Sequence, residues 1–413
     1  MSREIKESNV YWIGGIPKQW KLVPTKRVLR GTKSIVGSEV DNYERLALTM
    51  NGVIKRNKED NEGLQPEKFD NYQILRENEL VFKLIDLQNE KTSRVGLSPF
   101  TGIVSPAYIV LTNEQSDNRF YYYWFFDMYN RLVFNQMSDD GVRANLNVND
   151  LVNIPIPLIS LSEQKAIADF LDRKCAEIDE MIALQEKIVE ELKAYKQSVI
   201  TEAVTKGLNP DVPMKDSGIE GIGEIPEHWR ITTIGRLFRV SAGGDAKWDI
   251  YSDKQDSEHP FPVYTNTLDK NQTYAYTSIP VYKGDTITVT GRGDIGRAFY
   301  RKTPFDAIIR LLVLEKRYSL DCRYFAYFIN NVIHFFTNSA AIGQLSAVQV
   351  VPYNVCHPSI EEQTDIADYL DTKCTEIDNL ISIKLSKIDS LKEYKKSIIY
   401  EYVTGKKEVP ACQ

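Results

Sequence analysis

Along two stretches of the chain, apolar residues return at alternating spacings of four and three. The first series runs Leu171, Cys175, Ile178, Ile182, Gln185, Val189, Leu192, Lys196 and Val199. The second runs Leu370, Cys374, Ile377, Ile381, Lys384, Ile388, Leu391, Lys395 and Ile398. Such spacing is the heptad seam of a helix that packs on another helix, here with polar residues at matching places in both series. The ends are marked as well. Ser160-Leu161-Ser162-Glu163 and Ser359-Ile360-Glu361-Glu362 fit the S-x-x-E capping box. Pro157 and Pro358 stand just upstream, and Gly207 and Gly405 stand where each helix should stop. About 44 residues at ~1.5 Å each predict a rod of roughly 66 Å. A rod of that length needs a partner in water, and the other rod is the obvious one.

The two rods are copies of one another. EQKAIADFLDRKCAEIDEMI (Glu163 to Ile182) returns as EQTDIADYLDTKCTEIDNLI (Glu362 to Ile381). Aligned without a gap at an offset of 199, residues 163–204 and 362–403 agree at 21 of 42 positions. A shorter element repeats too, SNVYWIGGIPKQW (Ser8 to Trp20) returning as SGIEGIGEIPEHW (Ser217 to Trp229). The order is short element, variable region, rod, and then the same again.

The variable regions, 21–150 and 230–350, share an outline but no sequence. Each has β-type segments: Leu80-Val81-Phe82 and Ile103 to Leu111, then Thr286 to Thr290 and Ile308 to Leu314. Each then has an aromatic helical stretch, RFYYYWFFDMYN (Arg119 to Asn130) and RYFAYFINNVIHFF (Arg323 to Phe336). Two mixed α/β globules of about 130 residues are expected. The aromatics suit core packing better than base stacking.

Charge refines the pairing. Residues 163–180 hold six acids and three bases, and 362–378 hold six acids and one base, while the C-terminal halves are balanced or basic. Antiparallel packing sets each acidic half beside the other rod's more basic half, in keeping with the helix dipoles. The net charge of −6 therefore comes largely from the rods, and the variable regions are near neutral. Five cysteines form no CxxC pair, and four histidines give no zinc spacing. A reduced, cytoplasmic protein without a structural metal is expected. No apolar run reaches the roughly 18 residues of a membrane span, so no membrane partner is expected.

Chemistry-bearing motifs are sparse. GRGDIG (Gly291 to Gly296) fits G-x-G-x-x-G after the strand-like TITVT. A dinucleotide fold needs a helix directly afterwards, and RAFYRKTPF reads instead as a strand and turn. A glycine-rich hairpin is the expectation. His228, His259, His334 and His357 stand apart from any nucleophile, and no P-loop, G-x-S-x-G, H-E-x-x-H or N-P-P-Y/F motif occurs.

The repeated I-P-x-x-W element, the twice-used EQ-x-x-IAD-[FY]-LD-x-KC-x-EID and the stretch KGDTITVTGRGDIGRAFY (Lys283 to Tyr300) resemble the DNA specificity subunit of type I restriction–modification systems. The resemblance covers nearly the whole chain. It implies an α+β fold: two α/β target recognition domains joined by two long conserved helices in an antiparallel coiled coil, with a pseudo-twofold internal repeat. The implied division is 1–158, first recognition domain with its N-terminal element; 159–207, first long helix; 208–357, second recognition domain with the repeated element; 358–405, second long helix; and 406–413, tail. The implied subunit is non-catalytic and reads a bipartite, asymmetric double-stranded DNA site, one half per domain. Two modification subunits with S-adenosylmethionine would methylate, and two restriction subunits with ATP and Mg would translocate and cleave. The second copy departs in having YNVCHP (Tyr353 to Pro358) where the first has IPIPLI, which blurs the edge of the second domain.

Sequence readout needs Arg, Lys, Asn or Gln at base edges. The loop candidates are Arg94, Arg143 and Asn145 in the first domain, and Lys247, Arg292, Arg297 and Gln344 in the second. Asp169, Asp172, Glu177, Asp368, Asp371 and Glu376 on the outward rod faces are candidates for docking the modification subunits, or are simply solvated. Two other classes stay open. One is a coiled-coil scaffold joining two protein-binding domains. The other is an enzyme that binds a nucleotide at the Gly291–Gly296 loop.

Overall fold

A computed structural model describes residues 3–60, 68–88, 92–137, 145–219, 221–267, 269, 272–335 and 343–410. The two heptad stretches form helices Leu161–Lys206 and Ile360–Val403. Each starts as its capping serine requires, with Glu163 N–H on Ser160 Oγ at 3.2 Å and Glu362 N–H on Ser359 Oγ at 3.4 Å. The glutamate half of the box is used differently. Glu163 and Glu362 turn their carboxylates to the indole N–H of Trp20 (3.2 Å) and Trp229 (3.1 Å). Each helix ends at a left-handed glycine, Gly207 (φ 78°) and Gly405 (φ 71°).

The chain forms two compact units, Met1–Gln185 with Ser386–Gln413, and Glu186–Leu385. Boundaries drawn in chain order keep each rod as one element, whereas compactness gives each globule half of each rod. Within both units the two helix segments run antiparallel. In the first, Phe170 lies 4.2 Å from Tyr402, centroid to centroid, and Lys395 pairs with Asp179 at 2.6 Å. In the second, Lys196 pairs with Asp378 at 2.7 Å, the same positions with the copies exchanged. Seam residues Leu171, Ile178, Leu370, Ile377 and Ile398 are buried, and Ile182, Leu192, Val199, Ile381 and Leu391 are half-buried.

In the first unit, one four-stranded sheet has the order Gly52–Arg56, Arg45–Thr49, Gly102–Val104, Gln73–Leu75. Its pair of Arg45–Thr49 with Gly102–Val104 is parallel. The other sheet is antiparallel, with the order Arg30–Gly31, Ile109–Thr112, Leu80–Phe82, Val95–Leu97. The second unit repeats this plan. Its antiparallel sheet runs Phe238–Ala242, Leu312–Lys316, Thr286–Val289, Ala298–Arg301. Its other sheet again contains one parallel pair, Phe261–Tyr264 with Asp306–Ala307, but at the edge of the sheet and not in its middle. The YNVCHP departure leaves the domain edge intact. Asn354–His357 pairs with Arg230–Thr233 as Pro155–Leu158 pairs with Lys21–Pro24.

Aromatic helices Asn118–Asn130 and Cys322–Val332 fill the two cores. Phe120, Trp124 and Phe125 are buried in the first, and Tyr324, Phe325 and Phe328 in the second. Each such side chain contributes about 1.5–3 kcal/mol by leaving water, so this is packing and not a stacking platform. Two of the expected strands are shorter than the apolar runs that announce them. Ile103 to Leu111 is cut at Ser105-Pro106, where a turn closes with Tyr108 N–H on Ser105 O at 3.1 Å. Ile308 to Leu314 keeps only Leu312 onward as strand, because Ile309 and Arg310 are left-handed.

Candidate functional site

Each antiparallel sheet ends in a loop that a returning segment pins. In the first unit the Leu146 N–H donates to Leu84 O at 2.9 Å; in the second the Leu345 N–H donates to Gly291 O at 2.9 Å. Two residues picked from sequence, Asn145 and Gln344, thereby take corresponding places, both exposed.

In the second unit the Gly291–Gly296 segment is the turn between strands Thr286–Val289 and Ala298–Arg301, which pair antiparallel. No helix follows, so the phosphate-cradling geometry of a dinucleotide loop is missing and the nucleotide-binding reading loses its basis. What the turn does is present side chains. Arg292 is exposed and donates to Gln344 Oε1 at 3.3 Å, and Arg297, at the far end of the turn, is exposed as well. Gly291 is required by close approach, since a Cβ there would lie 2.9 Å from Leu345 O and 3.0 Å from Arg310 O. Asn266 ties the turn down, accepting from the Gly291 N–H at 2.7 Å and donating to Ile309 O at 2.7 Å. Lys247 bonds the buried Asp306 at 2.9 Å, which also accepts from Tyr251 at 2.8 Å. Trp248, next in sequence, is 63% exposed.

Three of the four candidates in this unit, Lys247, Arg292 and Gln344, thus sit in one network of loops. Asn266, Ile309, Arg310 and Trp248 belong to the same group of loops and were missed. Only Trp248, an aromatic outside any apolar period, carries a signal in the sequence.

The first unit differs. Arg94 is 2% exposed and donates to Asp86 O at 2.9 Å and Ile85 O at 3.3 Å. Burial lowers its pKa, and its guanidinium braces a loop from inside where sequence places it at a base edge. Asn145 accepts from the Asp86 N–H at 2.7 Å on the same loop. Arg143 lies outside the described residues.

The rod acids are not simply outward-facing. Arg119 is held by Asp117 (2.6 Å), Asp169 (2.8 Å) and Asp172 (2.8 Å), and Arg323 by Asp321 (2.7 Å), Asp368 (2.6 Å) and Asp371 (2.9 Å). Tyr123 and Tyr327 donate to Asp172 and Asp371 at 2.7 and 2.8 Å. The hydrogen bonds that the arginines donate to Asp117 and Asp321, above all, push both arginine pKa values up. Four of the six acids named as docking candidates therefore clamp the aromatic helix of their own unit. Glu177 and Glu376 pair with Lys174 (2.5 Å) and Lys373 (2.8 Å) of their own helices. Among the described residues no group of three or more His, Cys, Asp or Glu is placed to hold a metal, and no helix is long and apolar enough to cross a membrane.

Known proteins share this construction. In solved structures, the chain resembles one from work on the structural basis of complex assembly and conformational transition of the type I R-M system. There the TM-score is 0.75 at 14% identity, over 95% of this chain and 99% of that one. It also resembles the HsdS subunit from Thermoanaerobacter tengcongensis, with a TM-score of 0.53 at 16% identity, over 95% and 98%. At these identities the likeness is one of fold. In sequence, the chain is 25% identical over 279 residues to the type I restriction enzyme MjaVIII specificity subunit of Methanocaldococcus jannaschii. That alignment covers 62% of each protein, so the chain spans under two thirds of this relative. The model of the type I restriction modification DNA specificity domain matches twice, at residues 29–194 and 226–405. Each match takes in most of one globule and most or all of the rod that follows it, and together they cover most of the sequence: the chain belongs to the type I restriction–modification DNA specificity family.

Proposed function

We propose that the chain is the non-catalytic specificity subunit of a type I restriction–modification complex and reads a bipartite, asymmetric DNA site, one half with each unit. The observation that carries this reading is the contrast between frame and loops. The antiparallel sheet, rod segment and arginine clamp are the same in both units, while the corresponding loop ends carry different chemistry: Ile85, Asp86 and Asn145 in one, Arg292, Arg297 and Gln344 in the other. A scaffold for two identical partners would have no use for that divergence, whereas readers of two different half-sites require it.

The same repeat supports the docking of partners. Outside the buried seam, Met181, Leu184 and Tyr195 are 43%, 56% and 58% exposed, and their counterparts Leu380, Ile383 and Tyr394 are 46%, 62% and 56% exposed. Large apolar side chains left in water at equivalent positions of both copies suit two copies of one partner. The modification subunits are that partner. They would bring S-adenosylmethionine, and the restriction subunits ATP and Mg, in the cytoplasm.

The test is selection of bound duplexes from a randomised pool by the chain together with its modification subunits. Two separated, unlike half-sequences are expected, and replacing residues 230–350 should change only one of them. A selection that enriches no sequence would favour the scaffold reading; both halves changing together would remove the assignment of one half per unit.

A further inference from the structure

The run Phe305 to Leu314 is strongly apolar, and simple alternation would carry a strand through Ile309 and Arg310. Both residues instead take the left-handed conformation, at φ 54° and 61°. For L-residues that conformation is sterically strained, and for β-branched Ile309 it is a marked outlier. The surroundings hold it in place. Ile309 N–H donates to Gly244 O at 3.0 Å, and Ile309 O accepts from Asn266 at 2.7 Å. The consequence is local and specific. Ile308 and Leu311 stay buried, while Ile309 (41% exposed) and Arg310 are turned out into solvent together.

From this geometry, and resting on the reading of the chain as a DNA-binding subunit, we infer that Arg310 is a base-reading residue of the second unit and contacts a guanine edge. Strain of this kind persists where function selects the strained arrangement. Arg310 has no carboxylate partner among the described residues, unlike Arg119, Arg131 and Arg323, so no ion pair among those residues takes up its charge. The one side chain of Asn266 joins its corner to the Gly291–Gly296 turn, which places Arg310 with Arg292 and Gln344 in a single network. A planar guanidinium fork matches guanine O6 and N7, and the adjoining apolar Ile309 suits a thymine methyl group. The corresponding corner of the first unit, Ser105 to Tyr108, presents Pro106 and Ala107 and has no left-handed residue. The two corners therefore differ in the way that readers of unlike half-sites must.

The experiment uses the full chain with its modification subunits and a randomised duplex pool. With Arg310→Ala, preference at one position of one half-site should fall about 5- to 100-fold, the other half-site staying as in the wild type. Arg310→Lys should keep the overall affinity but not the preference, because an ammonium cannot make the two-pronged contact. Thermal unfolding of both variants should match the wild type, as the exposed side chain forms no ion pair among the described residues. Unchanged preference in both variants would overturn the assignment. So would full rescue by lysine, which marks a phosphate contact. A wild-type chain that selects no sequence fails earlier, at the DNA-binding reading itself.

Discussion

Arg119 and Arg323 show how a single side chain joins local and distant structure. Each sits in the first turn of an aromatic helix whose N-cap, Asp117 or Asp321, is itself in the clamp. Arg323→Ala would leave the nearly buried Asp321 without its cation, which costs about 1–3 kcal/mol. Arg119→Ala should behave alike in the first unit, since Asp117 is as deeply placed. Urea unfolding would measure both, and a pair of losses below 0.5 kcal/mol would mean, at about the level of ordinary surface pairs, that the clamps are ornamental. His357 carries a pH effect. Burial, foremost, lowers its pKa below 6.5, so the folded unit keeps the ring neutral while the unfolded chain takes up a proton. Stability from this group is present above that value and is lost as the pH falls below it. His357→Leu, which installs the residue that the first copy has at Leu158, should flatten the acid side of the stability profile of the second unit.

At the scale of elements, the ends of the rods are as telling as their seams. Gly207 and Gly405 are equivalent left-handed stops but have unequal surroundings. A Cβ on Gly207 would meet Glu362 Oε1 at 3.2 Å, the end of a side chain. On Gly405 it would meet Pro17 Cγ at 2.6 Å and Trp20 Cη2 at 2.8 Å, both parts of rigid rings. Gly207→Ala should cost about 1–2 kcal/mol from the backbone alone. Gly405→Ala should cost clearly more, because the Trp20 indole, 1% exposed, has no room to retreat. Denaturant midpoints of the two variants decide the order; equal losses would show that backbone conformation alone sets the cost.

For the whole molecule, doubling is the governing fact. One frame appears twice, and chemistry enters only where the copies differ. The expected consequence is a chain that contributes recognition and no catalysis. Purified alone it should show no methyl transfer, nuclease or ATPase activity, and adenine methylation should appear when modification subunits and S-adenosylmethionine are added. Methyl transfer by the chain itself, lost on mutating its own Gly291 or Gly293, would contradict this.

Much of the frame was legible in the sequence because its signals are local. Heptad spacing, capping serines, terminal glycines and the 199-residue offset need no knowledge of distant contacts. Antiparallel pairing of the rods was legible too, from their charge halves, since Asp179 and Lys395 attract along a line that composition already shows. The resemblance of the repeated motifs supplied the family. The globules were legible only in outline. Their parallel pairs join segments such as Arg45–Thr49 and Gly102–Val104, far apart in the chain, and no local pattern encodes that choice. The loops depended most on tertiary structure. Arg94 and Arg292 are both arginines in loops that follow a strand, yet packing buries one and exposes the other. Arg310 lies in an apolar run that alternation reads as strand. Two carbonyl and amide contacts from Gly244 and Asn266 turn it outward, and such contacts exist only once the chain has folded.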